Sequence, residues 1–260
     1  MGLLHEDGIT LGDGNKVLPS PGQRWMYSCW KDFISQAKSR AAGKKVYVVG
    51  NGDLTDGDHH DTSQIITRNR TTQRSIAIDC IEPLAEIADR LFIVRGTPIH
   101  VKNDEEEIAK DLGAEKFDND IYSWWELIAE FGDKLFDISH HPPGGGGQPW
   151  TRGGAAVRLA GRSVMEYAGR GEKIPDMIIR GHYHLYQDSF ENIEGCRAIY
   201  SPGWQLRTEF TWRIAAQRAD IGAILFDIKS GEMETKVIRY RPTRRPIWKE
   251  TSQKKTSSKK

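Results

Sequence analysis

Cysteine is scarce: Cys29, Cys80 and Cys196 are the only three in 260 residues, far apart and without a CxxC pair. A disulfide framework and a four-cysteine zinc site are therefore excluded, and the thiols read as reduced and partly buried in a cytoplasm. Long apolar runs are missing as well. The longest, such as "VYVV" and "AILF", are strand-length and too short to span a bilayer. The opening "MGLLHEDG" has neither a basic stretch nor an apolar core, so no secretory leader is expected. No one sign of charge dominates. With 37 Lys and Arg against 36 Asp and Glu, the net +1 gives no global field toward nucleic acid or membrane. Internal repeats, a Gly-x-Ser-x-Gly elbow and a Gly-Lys-Ser/Thr phosphate loop are absent, which disfavours a solenoid, a serine hydrolase and a P-loop site.

What is present is an alternation of helical and strand patterns. In "RWMYSCWKDFISQAK" the apolar residues Met26, Cys29, Trp30, Phe33 and Ala37 form a helical stripe. "KKVYVVGNG" reads as a buried strand. Residues 72–89 read as a helix that Pro83 must kink or divide. "RLFIVRGT" is the next strand, and "DEEEIAKDLG" a short helix with acids in its first turn. "DKLFDISHHPPGGGG" is a third strand running into a loop, "AAVRLAGRSVMEYAGRG" a helix and "PDMIIRGHYH" a fourth strand. "CRAIYSPGW", "IGAILFDI" and "ETKVIRYR" follow as strands. The order predicts an α/β domain with layered sheets over residues 1–250. The last ten residues, "TSQKKTSSKK", contain no apolar side chain and read as a basic, disordered tail over residues 251–260.

The chemistry-bearing residues fall at strand ends. The successive strands deliver Gly52-Asp53, then Gly96-Thr97 with His100 after it, then His140-His141, then His182 and His184. Loops beyond the carboxyl ends of strands form the ligand crevice of open α/β sheets. Singly, each group has a structural reading as a turn or as strand histidines. Together they predict a site of one carboxylate and several imidazoles, a donor set suited to Zn, Mn, Fe or Co.

Three motifs in this order, "GDLTDG" at 52–57, "SHHPP" at 139–143 and "GHYH" at 181–184, resemble the calcineurin-like metallophosphoesterases. "VRGTPIHV" and "SPGWQLRTEFTWR" resemble phage and prophage members, and the likeness covers roughly residues 45–213. The resemblance implies a four-layer β-sandwich flanked by helices, with divalent cations at the sheet ends. Mn²⁺ is expected first, with Zn²⁺ or Fe as alternatives, two in a complete site and one here. It implies that Asp53 bridges the metals, that His140 and His182 bind one of them, and that His184 binds the other, with Asp56 bracing the loop. The activity implied is hydrolysis of a phosphomonoester or phosphodiester by metal-activated water, as a phosphatase or phage nuclease.

Two departures stand out. The family's first strand ends in Asp-x-His; none is visible ahead of "MGLLHEDGITLGDG", and His5 and Asp7 are in the wrong order to supply it. The first strand therefore reads as missing, which implies an incomplete first metal site. Thr97 stands where the family has a metal-binding Asn, and His100 is expected as the catalytic proton donor, with His59 and His60 as rivals. Arg180, Arg207 and Arg213 are possible phosphate holders, and the glycine-rich "PPGGGGQPWTRGG" a possible lid. Trp25, Trp30, Trp124 and Trp125 read as helical core residues. The alternative function is a catalytically impaired metal- or nucleic-acid-binding protein of the same fold. Partners expected are a phosphoester substrate and, through the basic C-terminus with "RYRPTRRP", nucleic acid. No membrane partner is expected, and the location predicted is the cytoplasm of a bacterial host.

Overall fold

The computed structural model describes residues 2–58, 64–144, 151, 153–209 and 219–242. A small hairpin of β1 (Ile9–Thr10) and β2 (Lys16–Val17) precedes α1 (Pro21–Ala41). Helix α1 starts where it does because Ser20 and Gln23 form a capping box and Pro21 follows the cap. One side of it buries Met26, Tyr27, Trp30, Phe33 and Ile34.

Next come β3 (Tyr47–Asn51), α2 (Arg70–Ala85), β4 (Arg90–Val94), α3 (Pro98–Val101), α4 (Asp104–Asp111) and β5 (Ser123–Trp124). Strands β3, β4 and β5 make a parallel sheet in that order. Helix α2 is not divided by Pro83. The proline lies in the last turn and forfeits only the bond to the Asp79 carbonyl, and Glu86 N–H still donates to the Glu82 carbonyl. Trp124 lies on β5 and Trp125 is exposed, so neither is helical as expected; Trp30 is core.

The chain continues through β6 (Leu127–Phe131), β7 (Lys134–Ser139), α5 (Gly154–Arg170), β8 (Met177–Arg180), β9 (Gln187–Asp188) and β10 (Arg197–Tyr200). These strands form a second sheet ordered β6-β7-β8-β10-β9, with β7, β8 and β10 parallel. The last two strands, β11 (Ile221–Lys229) and β12 (Glu232–Tyr240), are an antiparallel hairpin.

Period-two alternation stacks these parts into layers. On β4, Leu91 and Ile93 face α2 and α4, while Phe92 and Val94 face the second sheet. On β8, Met177 and Ile179 face the first sheet and Ile178 faces α5. On β11, Ala223 and Leu225 face α1, while Ile224, Phe226 and Ile228 face the second sheet. The hairpin therefore lies in the same layer as β3, β4 and β5. Helices, sheet, sheet, helix is the four-layer α/β sandwich that the sequence led one to expect. All three cysteines are free and buried, also as expected. Among the described residues, no helix is long and apolar enough to cross a membrane.

Candidate metal centre

The carboxyl ends of β3, β4, β7 and β8 meet on one side of the sandwich. Asp53 leaves β3 through a left-handed turn, with φ +75° at Gly52 and +53° at Asp53. Its Oδ1 accepts the Thr97 amide at 2.6 Å, and its Oδ2 lies 3.2 Å from the Thr97 hydroxyl. Gly96 makes that approach possible. A Cβ there would sit 2.2 Å from the Asp53 nitrogen and 2.3 Å from its Oδ1.

His140 follows β7 and is buried. Its Nδ1 lies 2.7 Å from the Asn51 carbonyl oxygen. A carbonyl only accepts, so Nδ1 carries the proton and Nε2 faces Asp53 Oδ2, 3.0 Å away. That approach lacks hydrogen-bond geometry, and Nε2 has no hydrogen-bond partner. A lone pair beside a carboxylate oxygen is the arrangement of two ligands aimed at a shared cation.

Ligand-type nitrogens of His140, His141 and His182 lie within 4.8 Å of one another. The Thr97 hydroxyl is 3.2 Å from His141 Nε2 and 3.2 Å from His182 Nδ1, so one side chain touches the carboxylate and two of the imidazoles. His184 is half-buried against Gly203, where a Cβ would meet its ring at 2.8 Å, and it stands outside the set of three. Asp53, His182 and His184 all have left-handed backbone, three of the six non-glycine residues with positive φ among those described. That conformation costs roughly 1–2 kcal/mol at a residue bearing a Cβ, and such strain gathers at functional sites.

Electrostatics keep the donors ready. Burial would raise the Asp53 carboxyl pKa, but His140 and the Thr97 amide outweigh it and hold the group well below the carboxylate range. Burial opposes protonation of His140, yet Asp53 overrides it and the pKa rises. Burial, with repulsion from neighbouring charge, lowers His141 and takes His182 down to about 4. Burial lowers His184 to about 4. At neutral pH these three imidazoles keep their lone pairs.

His100 stands on α3 beside this centre and lines the same cavity. Its Nδ1 lies 3.1 Å from the Asp56 carbonyl oxygen, which can only accept, so that nitrogen carries a proton. Asp56 itself braces the loop by accepting from Gln205 Nε2 at 2.8 Å. His59, His60, Arg213, most of the glycine-rich segment and the C-terminal tail lie outside the described residues. His5 and Asp7 pair with each other at 3.4 Å, and His5 packs on Tyr27.

Arg180 corrects an expectation. It is buried and makes a bidentate pair with Asp137 at 2.8 and 3.0 Å on the α5 side of β7 and β8, so it does not reach a phosphate.

Two residues near the centre, Asn51 and Glu105, escaped the sequence reading, and a third, His141, was read at its strand end without a ligand role. His141 belongs to the three-imidazole set. Asn51 carries a buried carboxamide with neither polar atom hydrogen-bonded. Glu105 is 1% exposed and accepts the Gly96 amide at 2.5 Å and the Leu54 amide at 3.1 Å, clamping the neighbours of Thr97 and Asp53. The donor set of imidazoles, a carboxylate and a spare amide oxygen suits a first-row transition metal or Zn²⁺.

Residues 9–186 match the family model described as calcineurin-like phosphoesterase, more than half of the chain. The chain belongs to that family. Calcineurin-like phosphoesterases bind divalent metals and act on phosphoesters, so this chain carries a metallophosphoesterase domain. A Vps29 single mutant from Entamoeba histolytica is similar at 12% identity and a TM-score of 0.38, covering 81% of this chain and 89% of that chain. A Thermotoga maritima protein solved by NMR is similar at 12% identity and a TM-score of 0.34, covering 75% and 99%. Likenesses this distant say nothing about activity. Comparison with curated proteins finds no match.

Proposed function

We infer that this chain is a metal-dependent phosphoesterase whose cation is held by Asp53, His140, His141 and His182, with His184 and the Asn51 amide oxygen as further donors. The observation that carries the reading is the 3.0 Å approach of His140 Nε2 to Asp53 Oδ2 beside two more imidazoles. A divalent cation there would neutralise phosphate oxygens and acidify water. The chain's own residues do the rest. His140 and the Thr97 amide keep Asp53 ionised, the Asn51 carbonyl fixes the His140 tautomer, and His100, which lines the same cavity, passes a proton to the departing oxygen. Mn²⁺ is the cation proposed, and a phosphomonoester or phosphodiester the substrate. Phage-type origin and a bacterial cytoplasm belong to the same proposal.

The second reading is a metal-binding protein of the same fold with little turnover. It is favoured by the single three-imidazole set among the described residues, which supplies one cation better than two. Metal content and hydrolysis of bis-p-nitrophenyl phosphate with added Mn²⁺ separate the two. The enzyme reading requires at least one bound metal and turnover that Asp53→Asn abolishes. Bound metal without turnover selects the second reading, and neither metal nor turnover ends both.

A further inference from the structure

Helix α2 opens on a residue that its own dipole disfavours. A helix N-terminus carries partial positive charge and prefers acids, yet the first turn of α2 has no acid and Arg70 directly follows the cap Asn69. Arg70 and Arg74 both turn to Asp104, a buried carboxylate at the start of α4. Arg70 Nη2 and Arg74 Nη1 approach it at 2.7 and 3.3 Å, and the buried Thr55 hydroxyl donates to it at 3.2 Å. Arg70 does something that Arg74 does not. Its Nη2 also donates to the carbonyls of His100 and Val101, at 3.2 and 2.6 Å.

Those carbonyls close a weak element. Helix α3 is four residues long, a single turn that does not hold in water by itself. Its amides from His100 to Lys102 bond back to Thr97 and Pro98, but the last carbonyls of a helix have no partner within it. At the other end of α3, Thr97 is tied to Asp53, His141 and His182. His100 therefore stands between one fastening on the metal centre and another on Arg70.

The loop that receives its imidazole is held by the same helix. His100 Nδ1 meets the Asp56 carbonyl, and a Cβ on the next residue, Gly57, would sit 2.2 Å from the His100 carbonyl oxygen. Gln73 of α2 takes both backbone groups of Gly57, accepting its amide at 2.8 Å and donating to its carbonyl at 3.0 Å. Helix α2 thus fixes both sides of the contact, Gln73 the loop and Arg70 the histidine.

We propose that Arg70 is the positioning residue for His100: anchored on Asp104, it caps α3 and holds the imidazole in place beside the metal centre. A guanidinium suits the task, because its planar fork reaches a carboxylate and two carbonyls together with a geometry that an ammonium does not impose. The catalytic consequence rests on the reading of His100 as proton donor to the departing oxygen; the contact itself does not.

The test uses the Mn²⁺-loaded full chain and two substrates. Bis-p-nitrophenyl phosphate releases p-nitrophenolate, which leaves without a proton, whereas the more basic phenoxide of diphenyl phosphate needs one. Arg70→Met should lower kcat on diphenyl phosphate by about 10–100-fold, and on bis-p-nitrophenyl phosphate by less than about threefold, with KM and bound Mn²⁺ unchanged. His100→Ala should show the same selective loss, and the double variant no further loss. Arg74→Met removes an Asp104 partner that touches neither carbonyl and should leave both rates unchanged. Arg70→Lys keeps the charge beside Asp104 and should show a smaller loss of the same kind, so misfolding of the methionine variant would not decide the matter. The His100 ring signals in NMR report the contact without turnover: they should shift in Arg70→Met and stay in Arg74→Met. Equal losses on the two substrates in Arg70→Met, or unshifted ring signals, overturn the proposal. A selective loss in His100→Ala but not in either Arg70 variant fails the proposal alone, and no selective loss in any of them fails the reading of His100. Shifted ring signals in a chain without turnover would keep the hold of Arg70 on His100 and end the phosphoesterase reading instead.

Discussion

His140 Nε2 and Asp53 Oδ2 stand 3.0 Å apart in a geometry that is not a hydrogen bond. The histidine's other nitrogen is committed to the Asn51 carbonyl, so the pair is relaxed only by a proton on the imidazole or a cation between the two atoms. Mn²⁺ or Zn²⁺ should compete with that proton. Metal uptake below pH 7 is expected to release protons, seen as a buffer-dependent heat in calorimetry. A heat that does not vary with the buffer's ionisation enthalpy would count against this pair as ligands.

Gly96 is expected to be intolerant of the smallest change. A methyl group there would meet Asp53 nitrogen and Oδ1 inside 2.4 Å, so Gly96→Ala must push the carboxylate out of place. Metal affinity should drop by about 10-fold or more, as when a ligand's supporting contact is lost. Gly12→Ala, at a position with open space around it and, like Gly96, no left-handed backbone, is the control and should leave affinity unchanged.

His141 is exposed, and on burial alone would pass for a solvated loop residue. As a member of the three-imidazole set it should matter: His141→Ala is predicted to weaken Mn²⁺ binding by about 10–100-fold. His5→Ala, altering a histidine that pairs with Asp7, should have no effect. Equal affinities for the two variants would remove His141 from the site.

Glu105 offers a stability measurement. Each carboxylate oxygen takes one buried amide, and glutamine can supply an acceptor to only one of them. Glu105→Gln should cost about 1–3 kcal/mol in urea unfolding, the penalty for an orphaned buried donor. Burial also pushes the Glu105 pKa up to about 7, against 4.5 for an ordinary glutamate.

The pH dependence follows from opposed groups. His182 and His184 titrate at about 4 in the folded chain and near 6.5 in the unfolded one, so the unfolded state binds more protons between those values. Stability supplied by these two is full above pH 6.5 and is lost as pH falls toward 4. Glu105 and His140, with raised values, work the other way: their stability is lost as pH rises. The difference between wild type and His184→Asn isolates one term. The variant's melting temperature should fall less steeply between pH 6.5 and 4.5 than that of the wild type.

Much of this was legible in the chain itself, because strand ends deliver residues to one edge and Asp53, His140 and His182 sit at such ends. The fold followed from alternation. His141 was legible at the same strand end but not as a ligand: neighbours on a strand face opposite ways, yet β7 stops at Ser139 and both histidines lie beyond it. Glu105 was hidden differently. In the first turn of α4 it reads as one more acid beside a helix N-terminus, and its bonds to Gly96 and Leu54 arise only when that helix packs on two loops. Arg180 and Asp137 are 43 residues apart, and nothing local announces their pairing.

The left-handed backbone at His182 and His184 has an evolutionary corollary. At both positions glycine or asparagine would relieve strain that histidine bears. A library of this gene selected for heat resistance alone should drift toward those residues at 182 and 184, trading imidazoles for degrees of melting temperature. Where a descendant has kept both histidines, something other than folding has been choosing them.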